Sequence, residues 1–134
     1  MIIGIGTDIV EVVRIRKAIE RTPSFLKGVF TDNEVEYINS KKNKYETAAG
    51  IFTVKEAFSK ALGSGIRGFG LKDIEVLHTE LGKPIINLSE KVSKKISEED
   101  YRVHVTISHT KENAVSFVII EEVNWIGSCK YRKS

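Results

Sequence analysis

The first ten residues alternate in character. Ile3, Ile5, Thr7 and Ile9 fall on one face of an extended segment, and Gly4, Gly6 and Asp8 on the other. This predicts a strand over residues 2–10, in which two missing side chains lead up to one carboxylate. Glycine weakens a strand and marks a close approach by other backbone or by a ligand. The spacing then turns helical over 11–21, with Val12, Ile15 and Ile19 as the apolar stripe and Arg14, Lys17 and Arg21 opposite it. Arg16 lies nearer the apolar edge, and Pro23 either ends this helix or begins the next connection.

Thr31-Asp32-Asn33-Glu34 has capping-box spacing and predicts a helix over about 32–41. The polar run 39–44 breaks it. A longer helix follows over 45–62, with Ala48, Ile51, Phe52, Val54, Phe58 and Leu62 as its buried stripe and Gly63 as its C-terminal stop. Glu56 and Lys60 stand beside that stripe. Lys55 lies within it and must either snorkel or find a partner. A glycine-rich connection over 63–70 leads to strands at 73–78 and 84–88, joined as a hairpin through Leu81-Gly82-Lys83. A short polar helix is predicted over about 90–98, then a half-buried strand over 101–108. Residues 114–120 are apolar on both faces apart from Ser116, as in a central strand or one buried against another subunit.

The resulting fold class is α+β, an antiparallel sheet packed by one long helix and several shorter ones. Residues 1–122 form one domain, and 123–134, with Trp125 and Cys129, are a non-periodic basic tail.

Composition adds limits. The chain has 134 residues, 41% hydrophobic and 29% charged, as in a soluble domain with one core. A net charge of +3 is compatible with an acidic partner. The basic residues are dispersed without an aromatic platform, which argues against nucleic acid. The lone Cys129 cannot form an intrachain disulfide, and a reducing compartment follows. No segment has the pattern of a signal peptide or the ~20 apolar residues of a membrane span, so a cytoplasmic location is expected.

The candidate chemistry centres on Asp8 and Glu56. Magnesium takes oxygen ligands and needs only one or two protein carboxylates beside water and substrate phosphates. Solvated or ion-paired acids are the alternative, and spacing does not exclude them. Lys60 follows Glu56 by four residues, which fits either a surface ion pair or a lysine aimed at a phosphate or a reacting hydroxyl. His109 ends a strand, where it serves acid–base chemistry, phosphate binding or only the local backbone. Ser108 has no nucleophile motif around it. Gly63-Ser64-Gly65 is not a P-loop, although its free amides suit an anion. The Arg14, Lys17 and Arg21 stripe is either a solvated face or a dock for an acidic protein.

Taken in order, the motifs resemble one family. Gly4-Ile5-Gly6-Thr7-Asp8-Ile9-Val10-Glu11 with Arg14-Ile15 is similar to the opening of bacterial holo-acyl-carrier-protein synthases. Phe30-Thr31 with Glu34 and Tyr37, then Phe52 through Ile66 with its Lys55-Glu56-Ala57 and Lys60-Ala61-Leu62-Gly63, then Gly82-Lys83-Pro84 and Ser108-His109-Thr110, complete five motifs between residue 2 and about 121.

The resemblance implies the phosphopantetheinyl transferase fold. It also implies Mg²⁺-dependent transfer of 4′-phosphopantetheine from coenzyme A to a serine of acyl carrier protein, in support of fatty acid biosynthesis, with adenosine 3′,5′-bisphosphate released. By motif, Asp8 and Glu56 would bind the metal, and Lys60 would face the reacting phosphate. Glu56, Lys60 and His109 would be the catalytic set. Ser64, Gly65, Lys83, Pro84, Ser108 and His109, with Lys60, would line the coenzyme A site, His109 from a neighbouring subunit of a homotrimer. Arg14, Lys17 and Arg21 would meet the acidic carrier. A competing class, a module that binds coenzyme A or a nucleotide without turning it over, would carry the same motifs.

Overall fold

The structure is a computed structural model that describes residues 1–96 and 100–123. The expected tail therefore lies outside the described residues from 124 on, as does the end of the helix expected over 90–98. Among the described residues, five strands and five helices run in the order β1 (Ile2–Glu11), α1 (Val12–Arg21), α2 (Pro23–Val29), α3 (Asp32–Asn39), α4 (Lys44–Leu62), β2 (Ile74–His78), β3 (Pro84–Leu88), α5 (Glu90–Ile96), β4 (Tyr101–His109) and β5 (Asn113–Glu122). A short 3₁₀ turn, Leu71–Asp73, precedes β2.

Most elements follow from local signals. The capping box at Thr31 forms in both directions: Thr31 Oγ1 accepts from the Glu34 N–H (3.2 Å), and Glu34 Oε1 accepts from the Thr31 N–H (2.9 Å). Gly63 ends α4 with φ at +83°, where an L side chain would be strained. Helix α2 departs from expectation. Helix α1 ends at Arg21 as the spacing predicts, and Pro23 opens a further helix in place of a connection; its missing N–H has no helical role there and its fixed φ suits the first turn.

The single sheet expected from the strand pattern is two. β1, β5 and β4 form an antiparallel sheet in that order, while β2 and β3 pair only with each other. The second pair is a five-residue hairpin closed through Gly82, at φ +87°. β5 is the central strand, and its burial alternates. Ala114, Ser116, Val118 and Ile120 face inward, while Val115 and Phe117 on the opposite face are exposed. Ile3, Ile5 and Ile9 of β1 are exposed on that same outer face, so the sheet carries an apolar surface that this chain does not cover.

Helix α4 lies across the inner face, and the glycines of β1 explain how closely. A Cβ on Gly4 would overlap the Ala61 carbonyl oxygen, and one on Gly6 the Ala57 carbonyl oxygen. The helix backbone rests directly on the strand. Around it, Phe58, Val54, Ile51, Val118, Ile120 and Phe30 are almost fully buried. Lys55, the misfit in the apolar stripe, is buried as well, and does not snorkel. Its Nζ donates to Glu34 Oε1 (2.8 Å), Leu71 O (2.9 Å) and Ile74 O (2.7 Å), which satisfies all three of its protons. Glu34 Oε2 also accepts from the Val76 N–H (2.7 Å). One ion pair thereby joins the start of α3, the middle of α4 and the start of β2. No described helix is long and apolar enough to cross a membrane.

Candidate active site

Two clusters form, one toward each end of α4. At the first, the seating of α4 on Gly4 and Gly6 carries Glu56 and Lys60 to Asp8, about fifty residues earlier in the chain. Lys60 Nζ donates to Asp8 Oδ1 (3.2 Å) and to Thr7 O (2.9 Å). The helical ion pair with Glu56, an open reading of the spacing, is not the contact made; Lys60 reaches across to the strand instead. Asp8 is mostly buried and Lys60 more than half exposed, so the lysine head can move.

Glu56 has a raised pKa. Partial burial is the main cause and repulsion from Asp8 the second, with Lys60 acting in the opposite direction. Glu56 thus stands beside a second carboxylate with one lysine near both, and the site is short of positive charge. Among the described residues no group of three or more His, Cys, Asp or Glu forms a metal cage. The donor set is therefore two hard oxygens, which fits a magnesium ion completed by water and substrate oxygens and does not fit zinc. Ser64 and Gly65 follow directly on this end of α4, with Gly65 at φ +68°. The Ser64 hydroxyl donates to Gly65 O (3.2 Å), and Ser64 is exposed.

The second cluster holds His109. Its Nδ1 is 3.0 Å from Glu46 Oε1, at the first turn of α4. Glu46 and Lys60 stand fourteen residues apart, about 21 Å along the helix axis. Asp8 and His109 sit on the two outer strands of the sheet, about 10 Å apart across it. Within one chain, then, His109 does not join Asp8, Glu56 and Lys60. It lines a cavity of about 160 Å³ together with Glu46, Tyr37, His78, Gly50 and Gly82. The Tyr37 and His78 rings stack there at 4.0 Å, with Lys41 Nζ 4.7 Å above Tyr37. Lys83 and Pro84 follow Gly82 in the same hairpin, while Ser108 points to the outer face of the sheet.

A larger hollow of about 380 Å³ adjoins this cluster, sharing Glu46. Arg16, Lys42, Lys44 and Lys111 line it, around Tyr45. Arg16 and Lys44 both approach the Tyr45 ring, at 5.4 and 5.2 Å. Tyr37 belongs to the second motif, but none of these cations, nor His78 or Glu46, stands out in the sequence as a site. The only trace is the lysine-rich run 41–44, which reads as a loop. Arg14, Lys17 and Arg21 lie exposed along α1, and among the described residues no ion pair engages them.

Residues 4–118 match the 4′-phosphopantetheinyl transferase superfamily. A holo-[acyl-carrier-protein] synthase of Clostridium beijerinckii is 52% identical over 123 residues, which cover 92% of this chain and all of that one. Among solved structures, a holo-(acyl-carrier-protein) synthase from Bacillus anthracis in complex with CoA (3′,5′-ADP) is similar at 39% identity and a TM-score of 0.78, covering 92% of this chain and 99% of its own. The Neisseria meningitidis holo-[acyl-carrier-protein] synthase follows at 34% identity and a TM-score of 0.81, covering 91% and 100%. With the acid pair, the lysine and the helix seated on glycine all in place, the chain belongs to the holo-[acyl-carrier-protein] synthases of the 4′-phosphopantetheinyl transferase superfamily.

Proposed function

We propose that the chain transfers 4′-phosphopantetheine from coenzyme A to a serine of an acyl carrier protein, in the presence of Mg²⁺. The serine oxygen forms a bond to the phosphorus that carries pantetheine. The bond from that phosphorus to the bridging pyrophosphate oxygen breaks. Adenosine 3′,5′-bisphosphate leaves with the electron pair, and the serine gives up its proton. The observation that carries this reading is the approach of α4 to β1, which gathers Asp8, Glu56 and Lys60 into one charge-hungry cluster.

Asp8 and Glu56 would hold the metal. Magnesium, when bound, offsets charge on the pyrophosphate and its leaving oxygen. Lys60 is the mobile cation beside it, able to exchange Asp8 for a phosphate oxygen. Ser64 and Gly65, at the end of the same helix, suit the reacting arm of coenzyme A. His109 with Lys83 and Pro84 suits the adenosine end, while Ser108, on the opposite face of β4, stands outside that group. The basic hollow of Arg16, Lys42, Lys44 and Lys111 beside His109 favours the same orientation, because a nucleotide phosphate needs cations.

The two clusters lie apart in one chain, and the outer face of the sheet is apolar: Ile5 is 55% exposed, Ile9 67% and Phe117 39%. Both points support a homotrimer in which His109 of one subunit serves the acids of the next. The unpaired Arg14, Lys17 and Arg21 would receive an acidic carrier, that of fatty acid synthesis, in the cytoplasm.

The test is incubation with Mg²⁺, coenzyme A and apo-carrier protein, read by intact mass and by chromatography of the nucleotide. One phosphopantetheine should be added per carrier and one adenosine 3′,5′-bisphosphate released. Coenzyme A binding with neither product would favour the non-catalytic module and defeat the transferase reading.

A further inference from the structure

Ser116 is the one polar residue among the inward-facing positions of β5 from Ala114 to Ile120. It is 2% exposed, and its Oγ has no hydrogen-bond partner. Its neighbours along that face are Ala114 and Val118. Across the sheet it pairs with Ile107 on β4 and with Asp8 on β1. Ile107 offers no acceptor, so within its row the Asp8 carboxylate is the only polar side chain. Lys60 engages only the Oδ1 atom of that carboxylate. Directly opposed residues in an antiparallel pair hold their Cβ atoms about 4.5–5.5 Å apart. A serine hydroxyl on one strand therefore reaches a carboxylate on the other by a change between staggered χ1 positions. A buried hydroxyl left without a partner is unfavourable, and such an atom calls for a role that the isolated chain does not display.

We propose that Ser116 is a positioning residue for Asp8. Its Oγ–H donates to the Asp8 carboxylate when Lys60 turns away and Asp8 takes up a divalent cation. The bond holds the carboxylate plane toward α4, where Glu56 supplies the second oxygen. This inference rests on the reading of Asp8 and Glu56 as a cation site, and it adds the element that orients one of them.

The experiment measures Mn²⁺ binding by electron paramagnetic resonance of the free ion, on the full chain with coenzyme A present, together with the unfolding midpoint without metal. A hydrogen bond of ordinary strength corresponds to roughly two- to twelve-fold in an equilibrium constant. Ser116→Ala should weaken Mn²⁺ binding about five-fold, while the metal-free midpoint stays level or rises because an unpaired hydroxyl has gone. Ser116→Thr, which restores the hydroxyl, should bring the affinity back to within about two-fold. A serine that served packing alone would move the midpoint and leave the Mn²⁺ affinity in place. Ser116→Ala binding Mn²⁺ within two-fold of the parent overturns the proposal, as does equal weakening in the alanine and threonine variants. Asp8→Asn in the same titration separates the two readings. If it too leaves Mn²⁺ binding intact, the cation site itself is wrong; if it abolishes binding while Ser116→Ala does not, only the role of Ser116 fails.

Discussion

Replacing Glu34 with alanine is expected to be among the most damaging single changes outside the acid cluster. The side chain is fully buried and holds three donors: the Lys55 ammonium at 2.8 Å, the Thr31 N–H at 2.9 Å and the Val76 N–H at 2.7 Å. Removing one partner of a buried ion pair costs about 3–5 kcal/mol, because the remaining charge stays out of water. Each orphaned N–H costs about 1–3 kcal/mol before relaxation. Lys55 limits the damage by losing its proton, since burial already lowers its pKa against the raising effect of Glu34. A net loss of about 4 kcal/mol is a reasonable centre, which for a chain of this size lowers the melting midpoint by roughly 15 °C. Lys55→Met keeps the apolar stem and leaves Leu71 O and Ile74 O unpaired, and should cost about 3 kcal/mol. Glu34→Gln, Lys55→Met and their combination, measured by urea unfolding beside the parent, complete a double-mutant cycle. The coupling should exceed about 2 kcal/mol. A Glu34→Ala loss below 1 kcal/mol, or no coupling, would refute the view that this pair fastens α3, α4 and β2 together.

Further outcomes follow from the same contacts. Gly6→Ala drives a methyl into the Ala57 carbonyl and should cost about 3 kcal/mol, with transfer activity falling further than the unfolded fraction explains, as measured by urea unfolding beside the carrier mass assay. Glu56 has a folded pKa above its unfolded one, so its contribution to metal-free stability is present below the unfolded value and lost as pH rises through the folded value. Glu56→Gln should therefore stabilise the metal-free protein at neutral pH, with the gain vanishing in acid, as read from melting midpoints across pH. Arg14→Glu alters an exposed, unpaired residue; it should raise the KM for the carrier about ten-fold, with less salt sensitivity and an unchanged midpoint. Phe117→Asp on the open sheet face should convert the proposed homotrimer to monomers by light scattering and lower activity with it.

Local elements were legible where a short-range rule governs them. The capping box at Thr31 and Glu34 and the stop at Gly63 place two helices within a residue or two. Helix α2 was not legible, because Pro23 marks the break after α1 equally well whether a loop or a helix follows; in the structure a helix follows and buries Val29 in the core. Lys55 is visibly out of place in an apolar stripe, yet its partners are a carboxylate 21 residues away and two backbone carbonyls, which no spacing reveals. Likewise Glu46, which engages His109, lies 63 residues from it.

For the acid cluster the division is similar. By itself the sequence determined that a strand with a bare glycine face ends near Asp8, and that Glu56 and Lys60 share one side of a long helix, because alternation and helical periodicity are local consequences of backbone geometry. Its ordered motifs also carried the family. Tertiary structure alone decided that Lys60 pairs with Asp8 and not with Glu56, that burial and Asp8 together push Glu56 up, and that His109 stands apart from both. It alone placed an unsatisfied serine opposite the acid. Those outcomes depend on which strand pairs with which and on how closely α4 rests on β1, which long-range packing decides.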